Sequence, residues 1–149
     1  MIIVANSSPL IALGRIQRFD IINTLFGQIY IPTTVYRETV IETSFEEQRN
    51  TILSAIENST IVIVEPTIDY SFNRKLDPGE KDVLRLAIEQ NANGIIIDDR
   101  KARNEAKALG LDEVLLHTTD ILKAADKRGL ISYVEIMQQL RTLNIYLPD

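Results

Sequence analysis

Five side chains in this sequence could do chemistry together: Asn6, Glu38, Glu80 and the adjacent pair Asp98 and Asp99. All are oxygen donors. With no Cys and one His in 149 residues, thiolate zinc sites, thiol nucleophiles and multi-His metal sites are removed from consideration. Converging carboxylates suit a hard divalent cation such as Mg²⁺ or Mn²⁺, which takes oxygen ligands and keeps waters for a phosphate substrate. Such an ion activates water and stabilises in-line displacement at phosphorus.

Each of these residues also has a purely structural explanation. Asp77-Pro78-Gly79-Glu80 puts an acid three residues after a helix N-cap with Pro at the first helical position, an acidic relative of the capping box that helix physics alone favours. Asp98 and Asp99 precede a helix, where one acid satisfies free amides and the macrodipole, but two after a buried Ile95-Ile96-Ile97 exceed what a cap needs. Glu38, beside Arg37 and Glu42, reads on its own as a surface carboxylate. Asn6 reads as a turn residue bonding its own backbone. What separates the chemical reading from these explanations is shared position, which depends on the elements that carry the residues.

Short apolar, β-branched runs at Met1 to Val4, Gln28 to Ile31, Ile61 to Val64, Ile95 to Ile97 and Val114 to Leu116 read as buried strands. Between them lie helical patterns. Leu10 to Ile16 is expected to be a helix capped by Ser8 with Pro9 at its first position and Gly14 as a mild weakness, and Phe19 to Phe26 a second one closed by Gly27. Further helices are expected at Thr34 to Ile41, Glu46 to Glu57, Asp77 to Gln90, Asp99 to Leu109, Asp120 to Arg128 and Ser132 to Leu143. Residues 67 to 78 form a connection without periodicity. Four or five buried strands alternating with helices imply a three-layer α/β/α sandwich with a mostly parallel sheet, in one domain over residues 1–149. In such a sheet the functional crevice lies at the carboxyl ends of the strands, where Asn6, Ser7, Ser8, Glu38, Glu80, Asp98 and Asp99 all fall.

Composition narrows the partners. The net charge is −5, which argues against coating nucleic acid by bulk positive charge but allows a local basic patch. Arg100 and Arg103 stand nearest the acidic pair and are the better candidates for phosphate contact. Lys107, and Lys123, Lys127 and Arg128 on the next helix, read as solvated faces. His117 reads as a local hydrogen-bonding group at a strand end, and Asp120 as an acid in a first helical turn. No apolar run approaches the about 20 residues a spanning helix needs, and the N-terminus lacks a positively charged leader, so a cytoplasmic location is expected.

The segments "IIVANSSPLIALGRI", "IPTTVYRE" ending at Glu38, "LDPGEKDVLRLAIE" containing Glu80, and "GIIIDDRKAR", with "KRGLI" at Lys127 to Ile131, together resemble PIN-domain proteins. More narrowly they are similar to a VapC-like subfamily carrying S-S-P-L-I, G-E and D-D-R motifs. The resemblance spans nearly the whole chain. It implies a Mg²⁺- or Mn²⁺-dependent ribonuclease acting on RNA, commonly the toxin of a toxin–antitoxin pair, with a cognate antitoxin as partner and a homodimer as its assembly. The matching metal-site positions are Asn6, Glu38, Glu80 and Asp98/Asp99, with Ser7 or Ser8 matching the hydroxyl that follows the first acid. Asn6 stands where the family usually has an acid and brings no negative charge, so a second expectation is an inactive PIN module that binds RNA or a protein partner. Asp120 could restore a carboxylate if it points inward. A phosphoacceptor receiver domain shares the doubly wound plan, but it needs an acid pair after the first strand and a Lys after the last, where this chain has Ala5-Asn6 and His117-Thr118.

Overall fold

The computed structural model describes residues 1–149. Five strands, β1 (Ile3–Ala5), β2 (Ile29–Ile31), β3 (Ile61–Ile63), β4 (Gly94–Ile96) and β5 (Leu115–Leu116), form one sheet in the order β3-β2-β1-β4-β5. All four pairings are parallel, with Val4 opposite Tyr30 and Ile95, and Ile96 opposite Leu116. Val4, Ala5, Ile29, Ile31, Ile95 and Ile96 are fully buried, as expected of strands covered on both faces. Each such branched side chain contributes roughly 1.5–3 kcal/mol of burial free energy, which compensates for strands only two or three residues long.

The helices are α1 (Ser7–Ile16), α2 (Asp20–Phe26), α3 (Thr33–Tyr36, continuing as a π-helical turn over Arg37–Ile41), α4 (Glu46–Glu57), α5 (Pro78–Gln90), α6 (Arg100–Ala108), α7 (Thr118–Lys127) and α8 (Tyr133–Thr142). Steps from β1 to β2 to β3 move one way along the sheet, and steps from β3 to β4 to β5 the other. Right-handed crossovers therefore put α1 to α4 on one face and α5 and α6 on the opposite one. α1 packs on α4 and α8, α2 on α7, and α5 on β1. Gly14 makes the α1–α4 approach close: a Cβ there would lie 3.2 Å from Gln48 Cγ. No helix is long and apolar enough to cross a membrane.

Three boundaries differ from the sequence reading for physical reasons. α1 begins at Ser7, with Asn6 rather than Ser8 at the N-cap and Pro9 inside the first turn, because the Ser7 and Ser8 hydroxyls are used elsewhere. The helix expected over Thr34 to Ile41 widens after Tyr36: Glu42 N–H bonds Arg37 C=O, and the carbonyls of Thr39 and Val40 accept from Gln48 and Arg49 of α4. α7 starts at Thr118, two residues early, because His117 N–H donates to Asp120 and completes the first turn.

The aperiodic connection before α5 is held by one buried acid. Glu105 of α6 accepts from the backbone N–H groups of Asn73 and Arg74, at 2.7 and 3.4 Å, and from the Arg74 guanidinium at 2.7 Å. Burial would raise its pKa, but Arg74 and the two amides outweigh it and hold the carboxyl below its ordinary value. A lowered folded-state pKa gives stability that is present above the unfolded value and lost as pH falls through the folded one. Glu105→Gln should lower stability by about 2 kcal/mol at neutral pH, and the gap from wild type should narrow as pH drops below about 4.3. Urea unfolding across pH 3 to 7, as a rough span around the carboxylate range, checks this; a gap that does not change with pH would contradict it.

Candidate metal centre

The order in which successive strands are added reverses between the parallel neighbours β1 and β4, so the crevice outside their carboxyl ends is the place where open α/β sheets bind ligands. Asn6 follows β1, its backbone N–H bonded to Ile96 C=O at 3.0 Å. Its side chain is buried and does not cap α1, so the carboxamide remains available to the crevice.

Asp98, just past β4, is nearly buried. Its Oδ2 accepts from Ser8 Oγ at 2.6 Å and from Thr118 Oγ1 at 2.7 Å, and its Oδ1 from Thr118 N–H at 2.9 Å. One carboxylate thus ties together the ends of β1, β4 and β5. Glu38 is bound in the same manner: Ser7 Oγ donates to its Oε2 at 2.7 Å, and its Oε1 stands 2.6 Å from where a Cβ on Gly79 would sit. Only glycine there lets this carboxylate lie against the first turn of α5. The π-helical turn carries Glu38 into that position, a type of irregularity frequent at functional sites.

Glu80 satisfies its structural explanation and the chemical one together. It completes a capping box with Asp77, accepting Asp77 N–H at 3.0 Å while its own N–H donates to Asp77 at 2.8 Å. It is also buried, and burial pushes its carboxyl up to about 7; the Asp77 N–H opposes this, and the carboxylates of Asp77 and Asp99 add to it. Burial likewise raises Glu38, against the Ser7 hydroxyl and with help from Asp77 and Glu42. Asp99 caps α6 by accepting Ala102 N–H at 2.9 Å, so the adjacent acids divide: Asp98 faces Ser8 and Thr118, and Asp99 shares a cavity with Asp77 and Glu80.

A PIN-domain family model, DUF3368, matches residues 2–149. The chain belongs to the PIN-domain family. A solved PilT N-terminus domain protein from the hyperthermophilic archaeon Sulfolobus solfataricus P2 superposes with a TM-score of 0.62 at 18% identity, covering 84% of this PIN domain and 93% of the archaeal chain; at that identity the likeness speaks for the fold. No curated protein matches the sequence. PIN domains are generally nucleases that require divalent metal.

The donor set of this PIN domain fits such an ion by chemistry: oxygen atoms only, an uncommitted carboxamide at Asn6, and like charges around Glu80 whose repulsion a cation would relieve. No three acidic or imidazole side chains stand together as a ready cage.

The remaining candidates are placed as follows. Ser7 and Ser8 are spent on Glu38 and Asp98. Arg103 donates to Ile97 C=O at 2.8 Å, and both it and Arg100 line a cleft of about 280 Å³ beside Asp98. Lys107, exposed as the sequence suggested, and His117, whose N–H makes the expected local bond to Asp120, line the same cleft. Asp120 points away, its side chain 46% exposed and engaged with His117, so it restores no carboxylate to the edge. Thr118 and Gly79 are the site residues the sequence reading missed. For Thr118 the available signal was the three-residue spacing of His117 and Asp120, the same spacing that marks Asp77 and Glu80. Gly79→Ala should displace Glu38 while leaving stability within about 1 kcal/mol, and should weaken Mn²⁺ binding about tenfold. Calorimetric Mn²⁺ titration beside thermal melts checks this; unchanged Mn²⁺ affinity would remove Glu38 from the ligand set.

Proposed function

We propose that this PIN domain is a Mg²⁺- or Mn²⁺-dependent endoribonuclease, the toxin of a toxin–antitoxin pair, cytoplasmic, homodimeric and neutralised by a cognate antitoxin protein. The observation that supports the nuclease reading is that adjacent hydroxyls at the end of β1 reach two of the acids on one edge of a PIN sheet, Ser7 bonding Glu38 and Ser8 bonding Asp98. Asn6, Glu38, Glu80 and Asp98 are the proposed metal-holding groups, with Asp99 contributing charge beside Glu80. One or two ions bound there would supply an activated water and stabilise charge developing on an RNA phosphodiester.

The protein's own groups then have separate tasks. Ser7 and Ser8 hold the Glu38 and Asp98 carboxylates by hydroxyl hydrogen bonds, and Thr118 fixes Asp98 from the other side. Such charge-assisted bonds orient ligand oxygens much as outer-shell partners do in other metal sites. Arg100 and Arg103, just past the acids, are placed to counter phosphate charge.

One observation favours a second reading, an inactive PIN module that binds RNA or a protein partner: Asn6 supplies no charge where an acid would strengthen metal binding. The two readings separate in a cleavage assay on single-stranded RNA. Purified protein should cleave with Mn²⁺ or Mg²⁺ and stop with EDTA, and Asp98→Asn and Glu38→Gln should each lower the rate at least about tenfold. Cleavage that survives both substitutions would remove this site, and a folded wild-type chain that never cleaves would favour the inactive module.

A further inference from the structure

The start of α6 divides the acidic edge into two concavities. On one side Asp99 faces Asp77 and Glu80. On the other lies a cleft of about 280 Å³ with Pro148 as its one apolar lining residue, Asp98 and Asp149 as its acids, and Arg100, Arg103, Lys107 and His117 in its walls. Residues 100, 103 and 107 follow the i, i+3, i+7 spacing of one helix face, so the clustering is built by α6 itself.

None of these three cations is spent on an ion pair. The side chains paired within the chain are Arg18, Arg49, Arg74, Arg85 and Lys123; Arg100, Arg103 and Lys107 are not among them. Arg103 is anchored through Nη1 on the Ile97 carbonyl, which fixes one guanidinium at the inner end, while Arg100 and Lys107 are exposed. Of the acids lining the cleft, Asp149 is paired with Lys123, and Asp98, held by the neutral Ser8 and Thr118, keeps its charge at the end where the metal ligands lie, leaving three cations against it. At roughly 30 Å³ per water the cleft has room for a phosphate group with some of its hydration. Apart from Pro148 its lining is polar or charged, unlike the mostly apolar lining expected of a small-molecule pocket.

We infer that this cleft binds the phosphate of a nucleotide neighbouring the scissile one, so that single-stranded RNA runs from the acidic edge along the Arg100–Arg103–Lys107 face of α6. The inference rests on the ribonuclease reading for its substrate. Phosphate contacts position a strand without reading its sequence, and each released counterion makes affinity depend on salt. Lys107 lies one turn beyond Arg103 and is the outer contact; His117, across the cleft at the start of α7, supplies an imidazole nitrogen from the opposite wall.

The test is equilibrium binding of a fluorescent single-stranded RNA oligonucleotide in EDTA, where cleavage cannot proceed, across a series of salt concentrations. Arg100→Ser and Lys107→Ser should each weaken binding and lower the slope of log affinity against log salt by about 0.7. Lys127→Ser, exposed on α7 and outside the cleft, should leave both unchanged. Slopes for Arg100→Ser and Lys107→Ser equal to wild type, or no measurable RNA binding by the wild-type chain, would overturn the inference. Changed slopes in a chain that fails to cleave RNA with Mn²⁺ would retain the cleft and discard the nuclease; cleavage with unchanged slopes would do the reverse.

Discussion

Asp98 is the carboxylate on which the rest of the site depends. It sits at the end of a fully buried strand, and three hydrogen bonds from Ser8 and Thr118 satisfy it there. Leaving such a group buried and unpaired would cost several kcal/mol, on the order of the penalty for a lone buried charge. Satisfying it from the first turn of α1 and from the first residue of α7 brings the carboxyl ends of three strands into one arrangement. Asn6, Ser7 and Ser8 therefore cannot shift without releasing Asp98, and α7 cannot start later than Thr118 without losing both of its bonds to it.

The opposite side of the edge is governed by repulsion. Burial, with like charge from Asp77 and from Asp99, lifts Glu80 to about 7. Helix physics supports this placement, because Asp77 and Glu80 satisfy one another's backbone amides at the start of α5 and Asp99 caps α6. The same acids thus end two helices and load one crevice with negative charge. Gly79 lets Glu38 join them from the π-helical turn. Lys75 and Lys101 line the same cavity, and a divalent cation held by the acids would relieve the repulsion among them. The unpaired basic face of α6 lies beside this cavity, on the far side of Asp98.

The sheet and the carboxyl-end placement of the acids were legible because buried strands and helix starts have local signatures. β-branched runs such as Ile95-Ile96-Ile97 and the Asp77-Pro78-Gly79-Glu80 cap require no knowledge of distant residues. Features made by long-range contacts were not legible. Ser8 has an N-cap's composition, but Asp98, ninety residues away, competes for its hydroxyl and the cap moves to Asn6. The π-helical turn that presents Glu38 depends on Gln48 and Arg49 reaching its carbonyls. Lys107 is the solvated residue that its sequence suggests, but nothing local reveals that His117 lines the same cleft.

The central claim is that the Asn6 carboxamide after β1 and the Asp98 and Asp99 carboxylates after β4, together with Glu38 and Glu80, form a divalent-cation site. Anomalous diffraction from a crystal soaked in millimolar Mn²⁺, roughly the range at which a weak carboxylate site fills, tests it most directly. The expected result is an anomalous peak at this edge in contact with oxygens of Glu38, Glu80, Asp98 or Asp99, with Asn6 beside it. An ordered edge without a peak, or Mn²⁺ found only at surface acids elsewhere, would contradict it.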